Sequence, residues 1–169
     1  MKNRVRKAWS KLQAETNNTN PISDADKAIF RPSLVHILPI VSPAIRAQFT
    51  SMLSKILIVD YPAQWPEFQD LTMSYLHAHD VGQVFAGLMM FLELTKIYRW
   101  KSGDNRAGLE GVVGNVFPIA LGIANRLVGE SGVAAGTMLV LILKAYKSAI
   151  AVSPLNAAAA GLCERVCDR

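Results

Sequence analysis

Cysteine is almost missing from this 169-residue chain: only Cys163 and Cys167 occur. A disulfide-stapled scaffold is excluded, and a reducing compartment, cytosol or nucleus, is the default. The Cys-x-x-x-Cys spacing has no second ligand pair, so it does not read as a zinc module. Aromatic residues make up 8% and charged residues 18%. No stretch alternates apolar and polar residues, and no Asn-Gly or Asp-Gly pair marks a hairpin, which argues against a sheet. No uncharged apolar run reaches the about 20 residues of a membrane span. The run from Gly132 to Leu143 is stopped by Lys144 and Lys147. The basic start MKNRVRKAWSKL has no apolar core behind it and does not read as a signal peptide.

Catalytic sets are lacking too. His36, His77 and His79 do not form a metal site, because the single residue between His77 and His79 puts them on different sides of a helix. Gly108, Gly111 and Gly114 recur at threes, but no Gly-Lys-Ser/Thr follows and no strand precedes, so a phosphate loop is excluded. These glycines, with Gly82, Gly87, Gly132 and Gly136, read instead as places where helices approach closely. No nucleophile has a base and an orienting group beside it. The chain is expected to be no enzyme and to need no cofactor or metal.

What is present is apolar. Hydrophobic residues reach 51% and mean hydropathy is +0.22. Disorder is excluded, because disordered chains are poor in apolar residues. Such a composition needs helices buried on two sides, or a surface covered by more protein. The net charge of +5 is local. Lys2, Arg4, Arg6, Lys7 and Lys11 carry it with no acid among them, and the rest of the chain balances at 13 bases and 13 acids. Nucleic-acid binding would need a basic stripe on a folded face, so it is a minor reading here.

The chain reads as helix after helix. Residues 1–22 look like a helix end followed by a polar loop over 12–22. Ser23 and Asp26 resemble a capping box, with Ala28, Ile29, Leu34, Ile37, Leu38 and Ile40 as the apolar face behind it. Ser42-Pro43 starts a helix whose Ile45, Phe49, Leu53 (or Met52), Ile56 and Val59 recur at three- and four-residue steps. Pro62 and Pro66 make a sharp corner, at which Asp60 is expected to cap or turn the chain and Trp65 to staple it. A short helix runs over about 65–77, and Asp80 caps the next, in which most of the circumference is apolar. Residues 101–105 form a turn, and Gly129–Gly132 separates the last two helices before Pro154. Three helix pairs result, at 23–60, 64–101 and 106–153, with 154–169 as an atypical tail. Their second helices begin near 43, 80 and 132. The spacings of 37 and 52 bracket the 40–47 of HEAT-type repeats. The fold expected is all-α, an α–α superhelix of HEAT/ARM type, although antiparallel pairs could also close into a bundle.

The stretch Ile37–Phe49, with Ile45-Arg46-Ala47-Gln48-Phe49, is followed by Asp60-Tyr61-Pro62-Ala63-Gln64-Trp65. This combination resembles the amino-terminal repeats of the importin-β (karyopherin-β) superfamily, above all its importin-seven and importin-eight branch. Gly87-Leu88, Leu94, Lys96, Tyr98, Lys101, Arg106, Leu109 and Leu143-Lys144-Ala145-Tyr146 fit the same branch. Lys2–Trp9 is similar to the end of a preceding repeat, and the resemblance covers about residues 1–155. On that resemblance the chain starts inside the family's first repeat, and the tail Asn156–Arg169 departs from the pattern, as a truncated or unrelated end.

The resemblance implies part of a nuclear transport receptor that binds RanGTP, protein cargo and nucleoporin phenylalanine-glycine repeats, and moves between cytoplasm and nucleus through the pore. It implies a motif of Arg46, Gln48, Asp60, Tyr61, Pro62 and Trp65, in which Arg46 joins neighbouring repeats or meets a partner. It places Lys55, Gln83, Lys96 and Arg99 on second helices that line the concave side, as a partner surface. An exporter of the CAS type, and a HEAT scaffold with no affinity for Ran, remain open at this point.

Overall fold

The computed structural model describes residues 2–98 and 107–150. Arg99, the turn at 101–105, Arg106 and the tail 154–169 with both cysteines lie outside the described residues. Among the described residues the chain is helical without a strand: α1 (Lys2–Ala8), α2 (Lys11–Thr16), α3 (Asp24–Ile37), α4 (Pro43–Asp60), α5 (Phe68–Leu76), α6 (Val81–Tyr98), α7 (Ala107–Leu127) and α8 (Val133–Ile150). The fold class is the all-α helical-repeat class expected from the periodicity. The chain divides into two compact units, Met1–Phe68 and Gln69–Arg169.

Local chemistry sets the helix starts. The polar stretch read as a loop from residue 12 instead holds α2. Ser10 Oγ accepts from the Gln13 N–H, and Gln13 Oε1 accepts from the Ser10 N–H, each at 3.1 Å. That reciprocal capping box outweighs the Asn/Thr run behind it. The run ends the helix: Asn18 takes φ 50°, a left-handed conformation that asparagine tolerates. Ser23 Oγ accepts from the Asp26 N–H at 3.1 Å and donates to the Asp26 carboxylate at 2.7 Å. Asp24 and Asp26 both favour the positive end of the α3 dipole. Lys27 Nζ, 2.9 Å from Asp24, holds that carboxyl below its usual range. Pro43 occupies the first turn of α4, where its missing N–H costs nothing, although the Ser42 hydroxyl makes no capping bond. Asp80 Oδ1 accepts from the Gln83 N–H at 2.8 Å and starts α6.

In the first unit α1 packs on α2 and α4. The buried stripe of α4 is Met52, Leu53, Ile56, Leu57 and Asp60. The stripe of α3 runs through the half-buried Arg31 to Leu34, Val35 and Leu38. Both stripes keep helical spacing, and each carries one charged residue at an apolar step. Ala28, Ile29, Ile40, Ile45 and Val59, expected in the core, are exposed. For α3 the reason is rotation: the stripe through Arg31 and Val35 leaves Ile29 and its neighbour Ser33 on another side.

In the second unit α6 packs on α7 and α8, and these two on each other. Phe117 joins them, 5.3 Å from Phe91 and 5.8 Å from Tyr146, edge-on to both. Nearly every residue from Ala86 to Tyr98 is buried, so α6 has neighbours around most of its circumference. Burial also pushes the Tyr75 hydroxyl pKa up. By length and composition α6 and α8 could each cross a membrane. Most of α6 is buried in protein, and it carries the buried Glu93 with Lys96 at 2.6 Å. On α8 the exposed Val133, Val140, Leu143 and Ile150 share the helix with Lys144 and Lys147.

The glycines separate into two kinds. A Cβ on Gly87 would lie 3.0 Å from the Leu76 backbone nitrogen and 3.1 Å from the Tyr75 carbonyl carbon, so α5 sits directly on it. Gly111, Gly114, Gly132 and Gly136, expected to mark close helix approach, have open space instead. Gly87→Ala is therefore expected to destabilise by about 1–3 kcal/mol, whereas Gly114→Ala should stabilise by up to about 1 kcal/mol through helix propensity. Thermal melting checks both, and a Gly87→Ala chain that melts above the parent would show that α5 can yield.

The Asp60 corner and the candidate partner surface

Asp60 closes α4 and is 3% exposed. Two penalties meet there. A carboxylate is disfavoured at the negative end of a helix dipole, and a buried charge without partners costs several kcal/mol. Three donors offset them at one oxygen. Arg31 reaches Oδ2 with Nη2 at 2.7 Å and Nε at 2.9 Å, and Trp9 Nε1 donates to it at 2.8 Å. The backbone carbonyl of Asp60 accepts from the N–H groups of Gln64 at 2.6 Å and Trp65 at 3.2 Å. One residue thus ties Trp9 behind α1, Arg31 of α3, the end of α4 and the turn that follows.

The aromatic residues fill the space around this centre. Trp9 is 1% exposed, 5.7 Å from Phe30, with Lys27 Nζ 5.9 Å from its ring. After α4 the Tyr61–Pro62 peptide is cis. Tyr61 and Trp65 are both buried. Trp65 packs 4.8 Å from Phe68, and Tyr61 lies 6.3 Å from the same ring. Pro62 and Gln48 are exposed. The expected turn-forming part of Asp60 is played by its carbonyl, while its side chain points inward to an ion pair. Neither Trp9 nor Arg31 was singled out from the sequence. The available signal was an arginine standing at an apolar step of α3.

Arg46 is engaged within its own helix pair. Nε donates to the Leu38 carbonyl at 2.8 Å, and Nη2 to those of Val41 at 2.9 Å and Pro39 at 3.4 Å. These carbonyls follow the end of α3 and have no helical donor of their own. The guanidinium therefore closes the α3–α4 turn. Lys55 is exposed and has no ion pair among the described residues. Gln83 is exposed at the start of α6, and Lys96 is neutralised by Glu93. At 3.6 residues per turn, Arg46 and Lys55 point about 180° apart on α4, and Gln83 and Lys96 about 140° apart on α6. Within each helix the expected partner residues do not share a face, and Arg99 lies outside the described residues. Among the described residues no group of His, Cys, Asp or Glu side chains gathers that could hold a metal.

Over 127 residues, 75% of its length, the chain is 33% identical to an Arabidopsis thaliana protein named importin beta-like SAD2 homolog. It belongs to the importin-β superfamily. A probable importin-7 homolog of Dictyostelium discoideum is 24% identical over 152 residues, 89% of the chain. A Saccharomyces cerevisiae relative named nonsense-mediated mRNA decay protein 5 is 26% identical over 158 residues, 86% of the chain. The chain spans only 12–15% of the length of these relatives. No family model matches, and no solved structure matches. Importin-β membership places the chain in a family of nuclear transport receptors. In this chain the Asp-Tyr-Pro-x-x-Trp corner adjoins a buried ion pair.

Removing the Asp60 carboxylate leaves Arg31 and the Trp9 N–H without their acceptor. Asp60→Ala is expected to cost about 3–5 kcal/mol. Trp65→Ala, which empties the corner, should cost a similar 3–5 kcal/mol or so. Urea unfolding measures both, and midpoints indistinguishable from the parent would show that the corner is not part of the core.

Proposed function

We propose that this chain is part of a nuclear transport receptor that binds Ran in its GTP form and carries protein cargo inward through the pore. The observation that supports the reading is the 33% identity to an importin beta-like protein across three quarters of the chain. The chemistry is binding. The chain relaxes no bond, and GTP hydrolysis belongs to Ran. Direction comes from a coupling free energy: RanGTP and cargo disfavour each other on one receptor, so cargo leaves where RanGTP is abundant. Phenylalanine-glycine repeats of nucleoporins are the further partners on this reading, and cytoplasm, nucleus and pore its places of residence.

The exposed cation Lys55 on α4 is the best placed of the proposed contacts, because no intramolecular acid competes for it among the described residues. Gln83, Lys96 and Arg99 are the further contact residues that the family resemblance names. The test is retention of purified Ran on the immobilised 169-residue chain. Ran loaded with a non-hydrolysable GTP analogue should bind at least tenfold more tightly than Ran loaded with GDP, and Lys55→Glu should weaken that binding several-fold. Equal retention of the two forms, or of neither, would overturn the reading.

A further inference from the structure

The turn between α3 and α4 presents a serine hydroxyl that the fold does not use. Ser10 Oγ and Ser23 Oγ each accept a backbone N–H at 3.1 Å and so cap their helices. Ser42 stands ahead of α4, is exposed, and makes no capping bond. It takes φ −59° and ψ 155°, an extended conformation, which the following Pro43 enforces. Pro43 is exposed too. An extended hydroxyl residue followed by a residue without an N–H is the pattern that proline-directed protein kinases select. Their clefts leave an N–H at that position without an acceptor, and proline has none to strand. Ser-Pro recurs in the chain at 153–154, which lies outside the described residues. The α3–α4 turn is an end of its helix pair. Repeats stack through the flanks of their helices, so a neighbouring repeat leaves this turn open. The surrounding charge is positive. No Asp or Glu occurs from Leu38 to Val59. Arg46 Nη2 lies 2.9 Å from the carbonyl of Val41, the residue before Ser42, and the Arg46 N–H donates to the Ser42 carbonyl at 2.8 Å.

We propose that Ser42 is a phosphorylation site for a proline-directed protein kinase, and that its phosphate locks the α3–α4 turn by pairing with Arg46. The separate kinase supplies ATP as phosphoryl donor. Ser42 Oγ bonds to the γ-phosphorus while the bond from that phosphorus to ADP breaks, and the hydroxyl proton passes to the kinase's base. The product carries a charge of about −1.5 to −2 at the positive end of α4. The Arg46 guanidinium, already beside the Val41 carbonyl, supplies a charge-assisted partner for it. The proposal does not rest on the transport reading.

The test treats the folded 169-residue chain with a purified proline-directed kinase and ATP. Peptide mass spectrometry assigns the phosphate, because Ser153-Pro154 offers a second acceptor. Phosphate is expected on Ser42 of the folded chain, with a melting temperature raised by about 2–4 °C. Ser42→Ala, treated identically, should gain neither, and it should fold as the parent does, since the hydroxyl is exposed and unbonded. In Arg46→Gln, phosphorylation should raise the melting temperature by less than half as much. Each variant is compared with its own unphosphorylated form, so the stability lost with the guanidinium cancels. Phosphate on Ser42 only after unfolding, or none there at all, would overturn the site. A melting temperature that the phosphate leaves unchanged or lowers, or a gain equal with and without Arg46, would overturn the lock.

Discussion

A single carboxylate oxygen organises the first half of this molecule. Asp60 Oδ2 receives two guanidinium donors from Arg31 and the indole N–H of Trp9, all within 2.9 Å. Helices α1, α3 and α4 otherwise meet through apolar stripes, which specify burial but tolerate sliding. A buried ion pair does not tolerate sliding, because any shift leaves a charge without a partner. The register of the three helices therefore depends on this contact, and the direction of the chain beyond α4 depends on the carbonyl of the same residue.

This arrangement bears on function through geometry. In a helical-repeat protein each pair buries its apolar faces against the next, and the surfaces offered to partners follow from the angles between pairs. Arg46 fixes the α3–α4 turn through three carbonyls, and Asp60 fixes the exit from α4. Two polar side chains thus set the path of one pair. The second unit uses another device, an aromatic column of Phe91, Phe117 and Tyr146, with Gly87 permitting α5 to lie on α6.

Much of this was legible in the amino-acid sequence. The helical period of α4, α6, α7 and α8 announces an all-α chain, and Ser23, Pro43 and Asp80 mark helix starts by capping chemistry. The spacing from Arg46 to Trp65 carries the family resemblance. Other features were hidden for physical reasons. The helix α2 rests on two side-chain bonds between Ser10 and Gln13, which a polar loop can imitate. The Asp60–Arg31–Trp9 contact joins residues 29 and 51 positions apart, and no local pattern reports such a distance. The glycines of α7 and α8 look alike in composition to Gly87, yet only a neighbouring backbone decides whether a Cβ fits. Lys55, Gln83 and Lys96 follow from helix membership, which does not determine the face on which each one stands.

A double-mutant cycle on Arg31 and Asp60 tests the central claim most directly. Arg31→Leu, Asp60→Leu and the double variant are unfolded in urea beside the parent. If the buried pair sets the register, each single change strands a charge and is costly. The double change then costs less than their sum by about 2 kcal/mol or more. Losses that add to within about 0.5 kcal/mol would contradict the claim and leave the apolar stripes alone in charge of the first unit.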